Sequence, residues 1–364
     1  MQQTHPTFHF SPLIRRSAAD RWPRLLGCFA VLFALTGACA HAASCLRGVN
    51  VAGAEFGGPG AKHGEGYIYP SDSTLDWAAA HSMTAIRLPF RWERLQPELF
   101  GAFDPAELAR LQVTVQAATS RGMTIILDLH NYAEYRGDRI GNGVVSAEAL
   151  GDFWRRLTPY FASNDKVVLG LMNEPADISA KTWFDAAQVG LDAIREAGSD
   201  QLVLVPGTIW TGASHWFDPQ EGGSNAEHAK AIRDPQNNFA FEVHQYLDED
   251  YSGTHDSCPR ADDAIDALKQ VAAWMKEHGH RGFVGEFGGT ASPDCLQGLE
   301  DMVRYLNGDS ETWIGWTAWA AGDWWGNYPL SLQPLDGKDR PQMTVLAPFM
   351  AGDASAGTCG KAAR

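Results

Sequence analysis

Two glutamates stand where an apolar, strand-like run gives way to a polar cluster: Glu174 at the end of KVVLGLMNE and Glu286 within GFVGEFG. A carboxylic acid and a carboxylate that face one another can share acid–base work, one giving a proton while the other attacks as a nucleophile. The division needs opposite protonation states near neutral pH, so the surroundings must separate two pKa values. Candidates for those surroundings recur at similar places. Arg87 precedes Leu88-Pro89-Phe90, and Asp128, His130 and Asn131 close a third run. Asn173 adjoins Glu174, His244 and Tyr246 lie in FAFEVHQYL, and Trp319 lies in IGWTAWA. Taken singly, each has a bland reading. A glutamate before a proline is usually a cap or solvated, a lone histidine a hydrogen-bonded rim residue, a lone tryptophan core. His130, His244 and the two glutamates could also ligate a metal, but an H-E-x-x-H pair is missing. Neither a metal nor an organic cofactor is expected.

The elements that must position these groups alternate. Strand candidates run over 46–53, 84–90, 123–130, 166–174, 201–207, 239–247, 282–288 and 314–320. Between them lie amphipathic stretches such as PAELARLQVTVQAATSRG and DAIDALKQVAAWMKEHG, with apolar residues at three- and four-residue intervals, the spacing of a helix that buries one face. Eight strands alternating with helices predict an α/β chain closed into a (β/α)8 barrel as a single domain. A doubly wound open sheet is the alternative, and the Gly-rich turn GxGxxG that would mark it is missing. In a barrel, functional groups gather at the C-terminal ends of the strands. Six of the eight candidate strands deliver a polar or aromatic group there.

With 364 residues, 45% apolar and 20% charged, the chain can bury a large core. A net charge of -15 argues against nucleic acid and anionic membrane surfaces as partners. Residues 1–42 read as a signal peptide. Arg15, Arg16, Arg21 and Arg24 precede an apolar run from Leu25 to Leu35, and Ala40-His41-Ala42 offers a cleavage site. The run is too short to span a bilayer, so an exported domain over 43–364 without a membrane span is expected. Lipidation at Cys39 and a twin-arginine route through Arg15-Arg16 fit less well. Of six cysteines, cleavage leaves four, at 45, 258, 295 and 359, an even number suited to an oxidising compartment. Four cysteines allow three pairings. Cys258–Cys295 and Cys45–Cys359 are favoured, because closing a barrel brings its two ends together.

Facing glutamates fit retaining glycoside hydrolysis, in which an acid protonates the leaving oxygen and a carboxylate about 5–5.5 Å away attacks the anomeric carbon. Arg87 near Glu286 would keep it ionised, and Asn173 would meet a sugar hydroxyl. Tryptophan occurs 13 times. Trp210, Trp216, Trp324 and Trp325 fall in presumed loops, where aromatic planes can stack on the C–H faces of sugar rings. Trp154, Trp183 and Trp274 fall on helical stretches and read as core.

IRLPFRWERLQP, LDLHNYAEY, LMNEP, VPGTIWTGA, FEVHQYLDEDYSGTHDSC, GEFGG and WTAWAAGDWWGNYPLSLQP, in this order over residues 45 to 350, resemble glycoside hydrolase family five and its secreted endo-β-1,4-glucanases (cellulases). The resemblance implies Glu174 as acid/base and Glu286 as nucleophile. It implies a substrate-binding set of Arg87, His130, Asn173, His244, Tyr246 and Trp319, to which the loop residues Trp210 and Trp325 are added. The expected partner is a β-1,4-glucan, and the expected unit is a monomer. No appended carbohydrate-binding module or linker is visible, which favours soluble or amorphous β-glucan over crystalline cellulose. A mannanase, xyloglucanase or mixed-linkage glucanase on the same scaffold stays open, as does a secreted carbohydrate-binding protein without turnover.

Overall fold

Eight strands close the barrel that the alternation predicts: β1 (Leu46–Val51), β2 (Ala85–Phe90), β3 (Thr124–Leu129), β4 (Val167–Gly170), β5 (Val203–Pro206), β6 (Phe239–His244), β7 (Gly282–Glu286) and β8 (Trp313–Ala321). Each pairs in parallel with its neighbours in chain order, and β8 returns to β1. The computed structural model describes residues 45–351. The expected signal segment, Cys39 and Cys359, and with the last the Cys45–Cys359 pairing, lie outside the described residues. Among the described residues, no helix is long and apolar enough to cross a membrane.

Every barrel strand is followed by a helix: α1 (Asp72–Ala80), α2 (Pro105–Ser120), α3 (Ala147–Leu157), α4 (Ala180–Glu196), α5 (Asn225–Ala229), α6 (Ala261–His278), α7 (Pro293–Gly308) and α8 (Pro341–Leu346). The starts are legible locally. Ser71, Asp104, Ser146, Ser179 and Ser224 each cap a helix by accepting a first-turn N–H on the side chain, a contact worth about 1 kcal/mol. The helices bury their apolar faces on the outside of the barrel. Trp154 and Trp183, both fully buried, donate their indole N–H to the carbonyls of Leu171 and Pro206 at strand ends.

Inside the barrel the strand alternation builds layers. Leu46, Ala85, Ile126, Val168, Leu204, Ala240, Phe283 and Ile314, one from each strand, form a separate apolar cluster. Two residues further along β2, β3 and β6, on the same inward face, stand Arg87, Asp128 and Glu242, each fully buried. The barrel is thus dry at its base and ionic above it.

The fourth strand is shorter than the sequence reading. Its ladder ends at Gly170, so Asn173 and Glu174 do not finish a strand. Leu171–Glu174 continue as irregular backbone held at both sides, Leu171 N–H donating to Leu204 and Asn173 N–H to Leu129. Glu174 then turns into the left-handed region, with φ +42°. A second correction concerns Trp216. It is fully buried against Phe241 and Trp274 and belongs to the core rather than to the barrel mouth.

Cys258 and Cys295 are joined in a disulfide that spans 37 residues of sequence. It ties the long loop after β6 to the start of α7. Closing a loop of that length limits the unfolded chain by about 3–4 kcal/mol. Replacing both cysteines by alanine is expected to lower unfolding stability by about that much, read from the denaturant midpoint together with the slope, which should rise as the unfolded chain loses its cross-link.

Candidate active site

Arg87 is the hub of the ionic layer. Its Nη1 donates to Asn50 Oδ1 and to Glu286 Oε1, both at 2.9 Å. Nη2 donates to Asn173 Oδ1 at 2.7 Å and lies 3.1 Å from Asp128 Oδ1. Nε lies 2.9 Å from Glu242 Oε1, off the N–H axis, so the contact is one of charge more than a directed hydrogen bond. Burial opposes the guanidinium charge, but Asp128, Glu242 and Glu286 outweigh it and hold its pKa above the ordinary arginine value.

The carboxylates respond differently. Burial drives Asp128 up to about 7 although Arg87 pulls it down. Burial also acts on Glu242, but Arg87 and His244 win and hold it below the ordinary value. Glu286 accepts from Arg87 Nη1 and, on its other oxygen, from Tyr246 O–H at 2.9 Å. Both contacts favour its ionised form. Burial and the nearby Glu174 nevertheless raise its pKa against His244 and Arg87. The sequence reading had Arg87 favouring the ionised form of Glu286; Arg87 does touch it, and burial acts in the opposite sense.

Glu174 meets the pair from the loop after β4. Its Oε1 accepts from His244 Nδ1 at 2.8 Å, and it keeps 17% of its side-chain surface exposed against 5% for Glu286. Facing oxygens of the two glutamates lie within 4.8 Å of one another.

The two histidines occupy opposite states. His130 Nδ1 donates to Asp128 Oδ2 at 2.6 Å, while its Nε2 faces Tyr132 O–H at 3.2 Å and Asn173 Nδ2 at 3.3 Å. One donor and one acceptor describe a neutral ring. Burial lowers its pKa well below the usual value. His244 has carboxylates at both nitrogens. Burial opposes its cation too, but Glu286, Glu174 and Glu242 outweigh that and raise it to about 10.

Two clefts open at the rim and share Tyr132. One, of about 510 Å³, is lined by Glu174, Trp210, His215, His244, Tyr246 and Tyr251 among others. The other, of about 450 Å³, is lined by Glu55, Phe56, Arg91, His130 and Trp319. Trp319 lies nearly parallel to His130, with ring centroids 5.9 Å apart and an 18° tilt, and the Trp319–Ala320 peptide is cis. Trp325 does not line either cleft. It stacks on Tyr328 at 4.4 Å and meets the edges of Trp319 and Phe56, so it backs the wall. Trp210 is half-exposed within a run of three left-handed residues, Ile209 to Thr211. The run is pinned by Thr211 Oγ1, which accepts from Gly207 N–H and donates to the Glu242 carbonyl.

Arg87, His130, Asn173, Glu174, His244, Tyr246, Glu286 and Trp319 therefore converge, as read from sequence. Asn50, Tyr132, Glu55 and Glu242 were missed. Glu242 had a signal: it sits two residues before His244, and on a strand that means the same face. Asp128 and His130 have the same spacing.

Two groups of described residues bring three metal-ligand atoms together, Glu174–His244–Glu286 and Asp248–Asp250–His255. The first set is already knitted by hydrogen bonds. In the second, Asp248 accepts the N–H groups of Gly253, Thr254 and His255 and serves as the staple of its loop.

A parallel eight-stranded barrel with two close carboxylates at its C-terminal rim defines a hydrolase of the glycosidase type. The model of cellulase, glycosyl hydrolase family 5, matches residues 49–322, and the chain belongs to that family. It is 34% identical over 293 residues to endo-beta-1,4-glucanase B of Aspergillus niger, covering 80% of this chain and 85% of the relative. The solved structure of XacCel5A in complex with cellopentaose is 45% identical, with a TM-score of 0.82 over 84% of this chain and 99% of that one. Pseudomonas stutzeri endoglucanase Cel5A in complex with cellobiose is 33% identical, with a TM-score of 0.79 over 88% and 96%.

Arg87→Met would leave Asp128, Glu242 and Glu286 without their common cation. A loss of at least about 3 kcal/mol is expected near neutral pH. The variant's carboxyls would have pKa values raised above their unfolded values. Its deficit should therefore shrink as pH falls and they protonate, and grow as pH rises. Urea unfolding of both proteins across that range measures it.

Proposed function

We propose that the chain is a retaining endo-β-1,4-glucanase in which Glu174 is the general acid/base and Glu286 the nucleophile. The observation that carries the mechanism is the separation of their oxygens, within 4.8 Å. That spacing suits direct attack on the sugar, whereas an inverting pair leaves about 6.5–9.5 Å for a water. In the first step Glu174 gives its proton to the glycosidic oxygen as Glu286 attacks the anomeric carbon. The C–O bond to the leaving chain breaks and a glycosyl ester forms. In the second, Glu174, now a carboxylate, takes a proton from water as that water attacks the same carbon and frees Glu286. Arg87 and Tyr246, bonded one to each oxygen of Glu286, aim the nucleophile and take up its charge when it leaves the ester. Asn173, its amide carbonyl held by Arg87, is placed to meet a hydroxyl of the sugar under attack.

The substrate reading draws on the relatives: one is named endo-beta-1,4-glucanase B, XacCel5A is seen with cellopentaose, and an endoglucanase Cel5A is seen with cellobiose. Clefts on both sides of Tyr132 suit binding within a chain rather than at its end. Trp319 and Trp210 supply ring planes, one in each cleft. Export is supported by the disulfide and by the N-terminal pattern.

Reducing-sugar release from carboxymethyl-cellulose should exceed that from mannan and xyloglucan, and a higher rate on mannan would overturn the substrate class. Glu286→Gln should abolish turnover with the fold intact; more than a few per cent of residual rate on a glucan would count against the nucleophile. Glu174→Gln should slow natural glucans by ~10²-fold or more. It should spare the first step on aryl glycosides whose leaving groups need no proton. Equal losses on both kinds would remove the acid/base role. Because the Glu286 pKa is raised, the acid limb of kcat/KM should lie above the ordinary glutamate value of 4.5 rather than below it.

A further inference from the structure

Glu242 is a fully buried carboxylate that the two-step chemistry does not use. It lies on β6 two residues before His244, and strand alternation turns both into the barrel. Its Oε1 stands 3.4 Å from His244 Nε2 and 2.9 Å from Arg87 Nε. On the other side of the imidazole, Nδ1 is 2.8 Å from Glu174 Oε1 and 3.8 Å from Glu286 Oε2. A neutral ring has one donor and one acceptor, so only the cation satisfies carboxylates at both nitrogens. The other charged and titratable groups around it are Arg87 on β2, Asp128 on β3 and His130 just beyond β3.

The neighbouring strand is built around this pair. A Cβ on Gly285 would fall 2.0 Å from Glu242 Oε1 and 2.7 Å from His244 Nε2. The φ of Gly285 is not in the left-handed region, so its backbone conformation does not demand glycine there. The space occupied by the Glu242–His244 contact does.

We propose that Glu242 is a positioning residue that holds His244 as an imidazolium against Glu174, so that the ring keeps its charge into alkaline solution. The inference rests on Glu174 as acid/base and extends it. A negative charge at hydrogen-bond range of Nε2 raises the pH at which the ring loses its proton. The cation also faces the charge that appears on Glu174 once its proton has passed to the departing oxygen.

The test is Glu242→Gln, close in shape but uncharged, with Glu242→Asp as the charge-restoring control. The alkaline limb of kcat/KM on a β-1,4-glucan should fall at a pH lower by about one unit or more in Glu242→Gln. In Glu242→Asp it should return toward wild type. Superimposable profiles for wild type and Glu242→Gln would overturn the proposal. Nitrogen-15 NMR of histidine-labelled wild-type protein, with His244 assigned by His244→Asn, provides a second readout that needs no substrate and no substitution of Glu242. His244 should remain an imidazolium through about pH 8, and neutralisation near the ordinary value of about 6.5 would overturn the proposal. Absence of glucan hydrolysis with His244 still cationic would sink the glucanase assignment instead, so the two failures are distinguishable.

Discussion

The site depends on one buried cation. Arg87 has no exposed side-chain surface, and its planar guanidinium reaches Asn50, Asp128, Asn173, Glu242 and Glu286. A buried charge is tolerable only when it is paired and hydrogen-bonded, and an arginine offers donors in fixed directions in one plane. Six positions around the barrel rim are thereby set relative to one another. A slip of any one strand by a residue would turn its polar partner outward and leave part of the guanidinium uncompensated. The apolar layer beneath, one side chain from each strand, excludes water from the base and strengthens each of these contacts.

Around that cation the barrel builds two acid–histidine pairs with the same sequence spacing and opposite outcomes. Asp128 and His130 are separated by one residue at the end of the third strand, the histidine just beyond it, and Glu242 and His244 by one residue on the sixth. His130 meets a hydroxyl and an amide with its second nitrogen and stays neutral. His244 meets Glu174 and Glu286 and stays charged. The difference lies in what faces the far side of each ring. Local sequence does not determine that, because only Tyr132 is near its histidine in the chain, while Asn173, Glu174 and Glu286 come from distant segments.

Much of the architecture could be read from the chain. The eight alternating strand and helix patterns located every barrel strand to within a few residues, because burial on both faces requires continuous apolar runs and helical faces leave their own period. The polar strand ends named the converging residues for the same reason: a charged or aromatic group that interrupts an apolar run at its C-terminal end has few places to go except the rim. The reading failed where backbone leaves regular geometry. KVVLGLMNE reads as one strand, but the ladder stops at Gly170. Glu174 adopts a left-handed conformation, fixed by contacts to the third and fifth strands that pattern alone does not contain. Trp216 shows the converse error. Its loop-like sequence surroundings suggested the barrel mouth, and the fold buries it between Phe241 and Trp274.

By itself, then, the sequence determined the alternation and which polar groups interrupt it, Glu174, Glu286 and most of their neighbours among them, because these follow from local periodicity and residue chemistry. Tertiary structure decided three things that it did not: how close Glu174 and Glu286 come, which histidine carries a charge, and that Glu242 stands behind His244 in space left by Gly285. Each depends on distances between strands far apart in the chain. Electrostatic energy in a dry interior depends on those distances and on the loss of water, and neither is a property of any single segment.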